Sequence, residues 1–315
     1  MVEIVDGKIV RDDLTRNARG GTELLADRII ENVNPDLLKG WQIIFSRPSK
    51  LLDGYKKILY LHDLPGDPAI AQIADESFRS EFHWIVFVSH YQRAMFGKFY
   101  GFDMTQNMIV IKNAIEPIPT HTKPTDKLRL IYHTTPHRGL ELLYAVFNKL
   151  DKAYPDRMEL KVFSSFDMYG WGERDLQYSR VIELCEDHPN IVYSKSVPNE
   201  VIRDELTKAH IFAFPSIWEE TSCMALMEAM SANLYCIHSD LGALPETSFG
   251  MTMMYPFMSS YQDHASALYW NLENALTIDL DSFNNFAPMD SKRVIDQFHN
   301  IDTFKFLWES YLQAS

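Results

Sequence analysis

Pro215-Ser216-Ile217-Trp218-Glu219-Glu220-Thr221-Ser222-Cys223-Met224-Ala225-Leu226-Met227-Glu228-Ala229-Met230 follows an apolar run at 209–214 and leads into a helical pattern. The chain here passes from a buried strand through a turn into a helix. Glu220 falls in the turn, and Glu228 lies about two turns further along the helix. Thr221 and Ser222, between them, read as capping residues beside N–H groups that have no intrahelical acceptor. Such a helix end attracts anions. Two carboxylates at the same place repel a bare phosphate, so the stretch suits a ligand that carries both phosphates and hydroxyls. A nucleotide sugar is such a ligand.

Outward from this stretch, short β-branched or aromatic runs at 41–45, 57–61, 84–89, 108–112, 128–133, 160–164, 191–193, 211–215 and 235–238 alternate with helical patterns. Strand–helix alternation of this kind gives an α/β fold with parallel sheets covered on both faces. The segment Glu116-Pro117-Ile118-Pro119-Thr120-His121-Thr122-Lys123-Pro124 interrupts the alternation once and reads as an interdomain linker, because proline fixes φ and removes donors. Ligands of open α/β sheets bind beyond the carboxyl ends of the strands, and two such domains make the cleft between them the expected site.

The chain of 315 residues is 46% hydrophobic, enough for one large core or two medium ones. No apolar run approaches the ~20 residues that cross a bilayer, and the first residues lack the pattern of a leader, so a cytoplasmic location is expected. Cys185, Cys223 and Cys236 are widely spaced and read as reduced thiols. The net charge of -13 is uneven: residues 1–120 carry 14 Lys+Arg against 16 Asp+Glu, and residues 121–315 carry 16 against 27. This acidity argues against a nucleic-acid partner and leaves at most peripheral membrane contact, through the N-terminal part.

The stretch 215–230 resembles the Glu-x7-Glu motif of the retaining glycosyltransferases of family 4, the glycosyl transferases group 1, which have the GT-B fold. Ser239-Asp240-Leu241-Gly242-Ala243-Leu244-Pro245-Glu246 is similar to the strand-end loop that follows the same helix in that family. The resemblance implies two Rossmann-like parallel-sheet domains facing a cleft: 1–120 for the acceptor, 121–300 for the nucleotide-sugar donor, and 301–315 as a helix returning to the first domain. It implies that Glu228 takes the ribose hydroxyls and that Glu220 meets the transferred sugar. Backbone N–H groups of Thr221, Ser222 and Cys223 would reach sugar hydroxyls or diphosphate. The first Glu of the motif falls on Glu220 or, one residue earlier, on Glu219.

Further resemblances place other residues. Ile131-Tyr132-His133-Thr134-Thr135-Pro136-His137-Arg138-Gly139 is similar to the family's G-R-L-x-P-E-K-G loop, with Arg138 on the lysine that meets the diphosphate. Arginine preserves that role, since it keeps its charge and grips phosphate oxygens bidentately. His133 falls on the family's arginine and departs from it, for a neutral imidazole brings no fixed charge. Gly20-Gly21-Thr22-Glu23 matches the glycine pair that lets backbone approach the donor, although Arg11 to Arg19 replaces the usual hydrophobic strand before it, so the first strand is expected to be short, displaced or lost. His62, after the apolar run 58–61 and before Asp63, resembles the family's strand-end histidine near the reacting sugar; from the residues alone, a His-Asp pair at a turn also fits a structural hydrogen bond.

Ser194-Lys195-Ser196-Val197 is a candidate for base contact. Asp279-Leu280-Asp281 has the D-x-D form of a divalent-cation site but lies in a polar turn without a preceding strand, so neither a metal nor a cofactor is expected. The expected partners are a nucleotide-sugar donor and a glycan, lipid or other small hydroxyl acceptor. A sugar-nucleotide epimerase on the same fold, or a non-catalytic nucleotide-sugar binding protein, are the alternatives.

Overall fold

A computed structural model describes residues 2–11, 20–48, 50–285 and 289–314, with the chain in two compact units, Met1–Ile115 with His299–Ser315, and Glu116–Phe298. The first unit opens with a hairpin, β1 (Val2–Val5) and β2 (Lys8–Arg11), turned at Asp6-Gly7 with φ of 51° and 74°. Consecutive left-handed residues match the right-handed twist of paired strands, and Asp-Gly is the dipeptide that adopts them most easily. After α1 (Gly21–Asn32) come β3 (Trp41–Phe45), β4 (Lys56–Leu61), α2 (Glu76–Arg79), β5 (Trp84–Phe87), α3 (His90–Tyr100) and β6 (Met108–Val110).

The sheet order is β2-β1-β3-β4-β5-β6, parallel from β3 to β6, with β1 antiparallel to both of its neighbours. The first strand, expected to be short, displaced or lost, is short, four residues, and stands ahead of residues 11–19 as half of a hairpin that adds an antiparallel edge. Residues 12–19, which carry part of that expectation, lie outside the described residues. The central strands are buried along nearly their whole length, as strands covered on both faces must be, and Ile44, Leu59, Leu61, Ile85, Phe87 and Phe96 form one core.

The second unit runs β7 (Leu128–Tyr132), α4 (Leu140–Ala153), β8 (Met158–Phe163), α5 (Ser179–Glu186), β9 (Ile191–Ser194), α6 (Asn199–Lys208), β10 (Ile211–Phe214), α7 (Met224–Ser231), β11 (Tyr235–Ser239), α8 (Leu244–Thr247), β12 (Met253–Tyr255), α9 (Tyr261–Ala275), α10 (Ser282–Asn285) and α11 (Met289–Phe298). Its sheet is parallel throughout, ordered β12-β11-β10-β7-β8-β9. Strands β7 to β9 are laid down to one side and β10 to β12 to the other. The loops after β7 and β10 therefore diverge from adjacent strands, and this topological switch point is where open α/β sheets hold ligands. The α4 helix covers the sheet with Leu140, Leu143, Val146, Phe147 and Leu150, an apolar stripe at helical spacing.

Residues 116–124 are bound to the second unit along their length and do not form a free tether. Ile118 N donates to Ser231 Oγ (2.8 Å), Ile118 O accepts from Lys292 Nζ (2.5 Å), and the buried Lys123 donates to Ala232 O (3.2 Å). Beyond the second unit, α12 (Ile301–Gln313) belongs to the first unit, where Trp308 sits edge-on to Tyr60 and Trp84 Nε1 donates to Tyr311 O (3.0 Å).

Candidate active site

The switch point of the second unit is built from three loops. After β7 the chain makes a 3-10 turn over Pro136–Arg138 and reverses at Gly139, whose φ is +113°. A Cβ on Gly139 would stand 2.3 Å from Pro215 O at the end of β10, so only glycine lets these two loops meet. The third loop, after β11, closes on the second in the same way. Gly242, at φ +67°, lies where a Cβ would come within 2.7 Å of both Glu220 N and Glu220 O. Ala243 N donates to Glu220 O (2.8 Å), and Ser239 Oγ donates to Ser216 O (2.9 Å).

This clasp relocates the start of α7. The Glu220 carbonyl is taken by Ala243, and the first intrahelical bond is Met227 N to Cys223 O (3.1 Å). Cys223 is the N-cap and makes no side-chain cap bond. Thr221 and Ser222 are thus loop residues rather than caps, and Glu228 is the fifth residue of the helix, little more than one turn in rather than two.

The Glu220 and Arg138 side chains form a close ion pair, Nη1 to Oε1, and Arg138 Nε donates to Thr135 Oγ1 (3.2 Å). Arg138 is 20% exposed and Glu220 6%. Burial disfavours the guanidinium charge, but the adjacent carboxylate outweighs it and holds Arg138 above its ordinary range. A permanently charged fork and a carboxylate are therefore fixed together beside the first turn of α7.

His133, at the end of β7, packs on Phe212, and burial lowers its pKa to about 3. It contributes no positive charge at neutral pH, and its Nε2 is enclosed without a hydrogen-bond partner among the described residues. His137 stacks on Phe166 and stands edge-on to the half-exposed Trp218, whose N–H and C=O both engage Ser216 Oγ. Glu228 is buried, and its two oxygens accept from Asn199 Nδ2 at 3.0 and 3.3 Å, with Arg203 Nη1 4.0 Å away. Neither Asn199 nor Arg203 was among the sequence candidates. Both lie on α6, distant along the chain from Glu228, and no local pattern marks them.

In the first unit, Gly20 is the N-cap of α1 and Gly21 its first residue, which places Thr22 Oγ1 2.8 Å from His62 Nδ1 at the end of β4. The glycine-pair segment and the strand-end histidine therefore meet through Thr22. His62 N donates to Ser46 Oγ (3.0 Å), and the ring packs between Phe45 and Tyr60. Burial lowers the His62 pKa to about 3, so the imidazole is neutral at pH 7. Asp63, the sequence neighbour considered as its partner, is exposed; its carbonyl accepts from buried Gln92 (2.7 Å).

The segment 194–197 leads into Asn199, the residue that meets Glu228. Ser194 closes β9, with its carbonyl accepting from Ser164 N, and Lys195 is exposed. Asp279 and Asp281 are exposed in the turn before α10. Among the described residues no three His, Cys, Asp or Glu side chains gather in a metal-binding group.

Comparison with known proteins agrees with this architecture. The family model described as "Glycosyl transferases group 1" matches residues 118–248, a span that includes Arg138, Glu220 and Glu228. The chain is 25% identical over 176 residues to the phosphatidylinositol N-acetylglucosaminyltransferase GPI3 subunit of Saccharomyces cerevisiae, covering 53% of this chain and 37% of that protein. It is 27% identical over 146 residues to a phosphatidylinositol N-acetylglucosaminyltransferase subunit of Homo sapiens, covering 44% of this chain and 28% of that one. The chain thus spans little more than a third of the length of these curated relatives at most. Among solved structures, Anabaena Alr3699/HepE in complex with UDP-glucose has a TM-score of 0.60 at 12% identity, covering 83% of this chain and 73% of that chain. The GtfA/B complex gives 0.62 at 12% identity, covering 82% and 52%. These likenesses carry the fold: two α/β units of the GT-B class.

Proposed function

We propose that this chain is a retaining glycosyltransferase of family 4. It moves a hexose-type sugar from a nucleotide-diphosphate donor to a hydroxyl acceptor and requires neither metal nor cofactor. The observation that carries the reading is the buried Arg138–Glu220 pair at the switch point, beside the first turn of α7. A guanidinium has five N–H donors in a planar fork, and its bonds to Thr135 and Glu220 engage Nε and Nη1. Facing a diphosphate, the same fork and the positive end of the helix stabilise the charge that grows on the leaving group.

On this reading Glu220 and the backbone of Thr221, Ser222 and Cys223 orient the sugar, while Glu228 accepts from the ribose. Gly20 and Gly21 let the backbone come close to the donor. His62, neutral and oriented by Thr22, hydrogen-bonds the sugar as the anomeric carbon gains positive character. His133 adds shape rather than charge to the phosphate side. The anomeric C–O bond to the diphosphate breaks, the acceptor oxygen bonds to the same face, and the hydroxyl proton leaves with the departing phosphate oxygen.

The names of the curated relatives make N-acetylglucosamine the first sugar to test and an inositol lipid the first acceptor, beside glycans and small hydroxyl compounds. Among the described residues no helix is long and apolar enough to cross a membrane. We propose a cytoplasmic location with at most peripheral membrane contact, through residues 1–120, and no nucleic-acid partner.

The test is release of nucleoside diphosphate from UDP- and GDP-sugars in EDTA, with the anomeric configuration of the product read by NMR. Transfer in chelator with retained configuration is the expected result. Activity that vanishes in EDTA and returns with manganese would overturn metal independence, and an inverted product would overturn the assignment to this family.

A further inference from the structure

Glu228 is one of the few carboxylates buried in the second unit, and the groups that hold it come from α6, outside the motif that contains it. Asn199 opens that helix and bridges both Glu228 oxygens with a single amide nitrogen, at 3.0 and 3.3 Å. One turn further along, Arg203 brings Nη1 to 4.0 Å of Oε1, close enough to offset a desolvated negative charge. Arg203 is itself fixed, donating from Nη1 to Glu116 O (2.8 Å) and from Nη2 to Pro117 O (3.2 Å). The carboxylate is therefore fixed in orientation, with a guanidinium beside it.

Orientation matters for what such a group can read. A carboxylate presents about four lone-pair sites in one plane, and an amide bridging its two oxygens sets the direction of that plane. Two neighbouring hydroxyls on a five-membered ring need an acceptor whose oxygens are both correctly aimed, because a carboxylate free to rotate meets one hydroxyl at a time. Resting on the reading of Glu228 as a donor-binding residue, we propose that Asn199, supported by Arg203, is a positioning residue that aims Glu228 at the 2′,3′-diol of the nucleotide. The amide thereby makes the site selective for ribonucleotides over nucleotides that lack those hydroxyls.

The test is calorimetric titration of the full chain with UDP, GDP and ADP, each beside its 2′,3′-dideoxy form. The proteins compared are wild type, Asn199→Asp, Asn199→Ala and Glu228→Gln. Asn199→Asp sets a second carboxylate against Glu228 and should lower affinity for the ribonucleotide on the order of tenfold. Affinity for the dideoxy form should stay unchanged, so that the ratio between the two approaches one. Asn199→Ala should move the same ratio in the same direction, and it serves as the second variant if Asn199→Asp does not fold. A residue that merely stabilised the fold would weaken both forms alike.

Variants at Asn199 that keep the wild-type ratio while Glu228→Gln abolishes it would overturn the positioning role and leave the donor reading intact. A wild-type ratio of one, unmoved by Glu228→Gln, would overturn the assignment of Glu228 to the diol. Failure of the wild-type chain to bind any of the three ribonucleotides would overturn the donor reading itself.

Discussion

Replacing Glu220 by glutamine separates what the Arg138–Glu220 pair does for the fold from what Arg138 does for a ligand. The substitution keeps shape and one acceptor oxygen but leaves a four-fifths-buried guanidinium without its counter-charge. Breaking a buried pair from one side costs about 3–5 kcal/mol, and the residual exposure of Arg138 together with the retained acceptor brings the expectation to about 2–4 kcal/mol. At roughly 2–4 °C per kcal/mol for a domain of this size, the melting temperature should fall by about 5–15 °C. The same change removes a competitor for the guanidinium. In the wild-type chain an incoming diphosphate must share Arg138 with Glu220, whereas in Glu220→Gln it meets an uncompensated cation. Inorganic pyrophosphate should bind Glu220→Gln about tenfold more tightly than wild type, equivalent to about 1.4 kcal/mol. It should also restore a large part of the lost melting temperature, even as sugar transfer declines. Differential scanning calorimetry with and without pyrophosphate reads both effects. Unchanged stability would show that the pair is not the buried, mutually dependent contact described; lowered stability that pyrophosphate does not restore would remove Arg138 from the diphosphate site.

Two further outcomes follow from the surroundings of that pair. Gly242→Ala drives a Cβ into the Glu220 backbone at a left-handed φ, so it should cost about 2–4 kcal/mol by urea titration and lower donor affinity as Glu220 shifts; an unchanged urea midpoint would refute the clasp. His210 and His238 are fully enclosed and burial lowers both pKa values to about 4, so the folded chain excludes protons that the unfolded chain binds below about 6.5. Their stabilising contribution is present above pH 6.5 and declines as pH falls toward 4, by about 2 kcal/mol each at pH 5. Urea midpoints at pH 7.5 and pH 5 should show this loss, and a flat profile would mean that neither ring is held neutral.

The alternation of strands and helices was legible in the sequence because burial on both faces writes a nearly unbroken apolar run into each central strand, as at Ile211–Phe214. The places where Arg138, Glu220 and His62 leave their strands were legible for the same reason. The Asp6-Gly7 hairpin is written there too, as a local turn signal, but it lies ahead of residues 11–19, where the family pattern would put a first strand. Propensity and periodicity report what a residue does with its near neighbours. They do not report that Ala243 takes the Glu220 carbonyl and delays α7 to Met224, or that Thr22 rather than Asp63 meets His62.

The sequence by itself thus determined the two-unit α/β plan and the strand ends that carry charged and imidazole side chains, since these depend on contacts a few residues apart. The tertiary structure alone decided which of those side chains meet. Arg138 and Glu220 are 82 residues apart and Asn199 and Glu228 are 29, and each pair is brought together by sheet order or helix packing. Gly139 and Gly242 are required by backbone that arrives from other loops, so the need for glycine arises only once those loops are in contact.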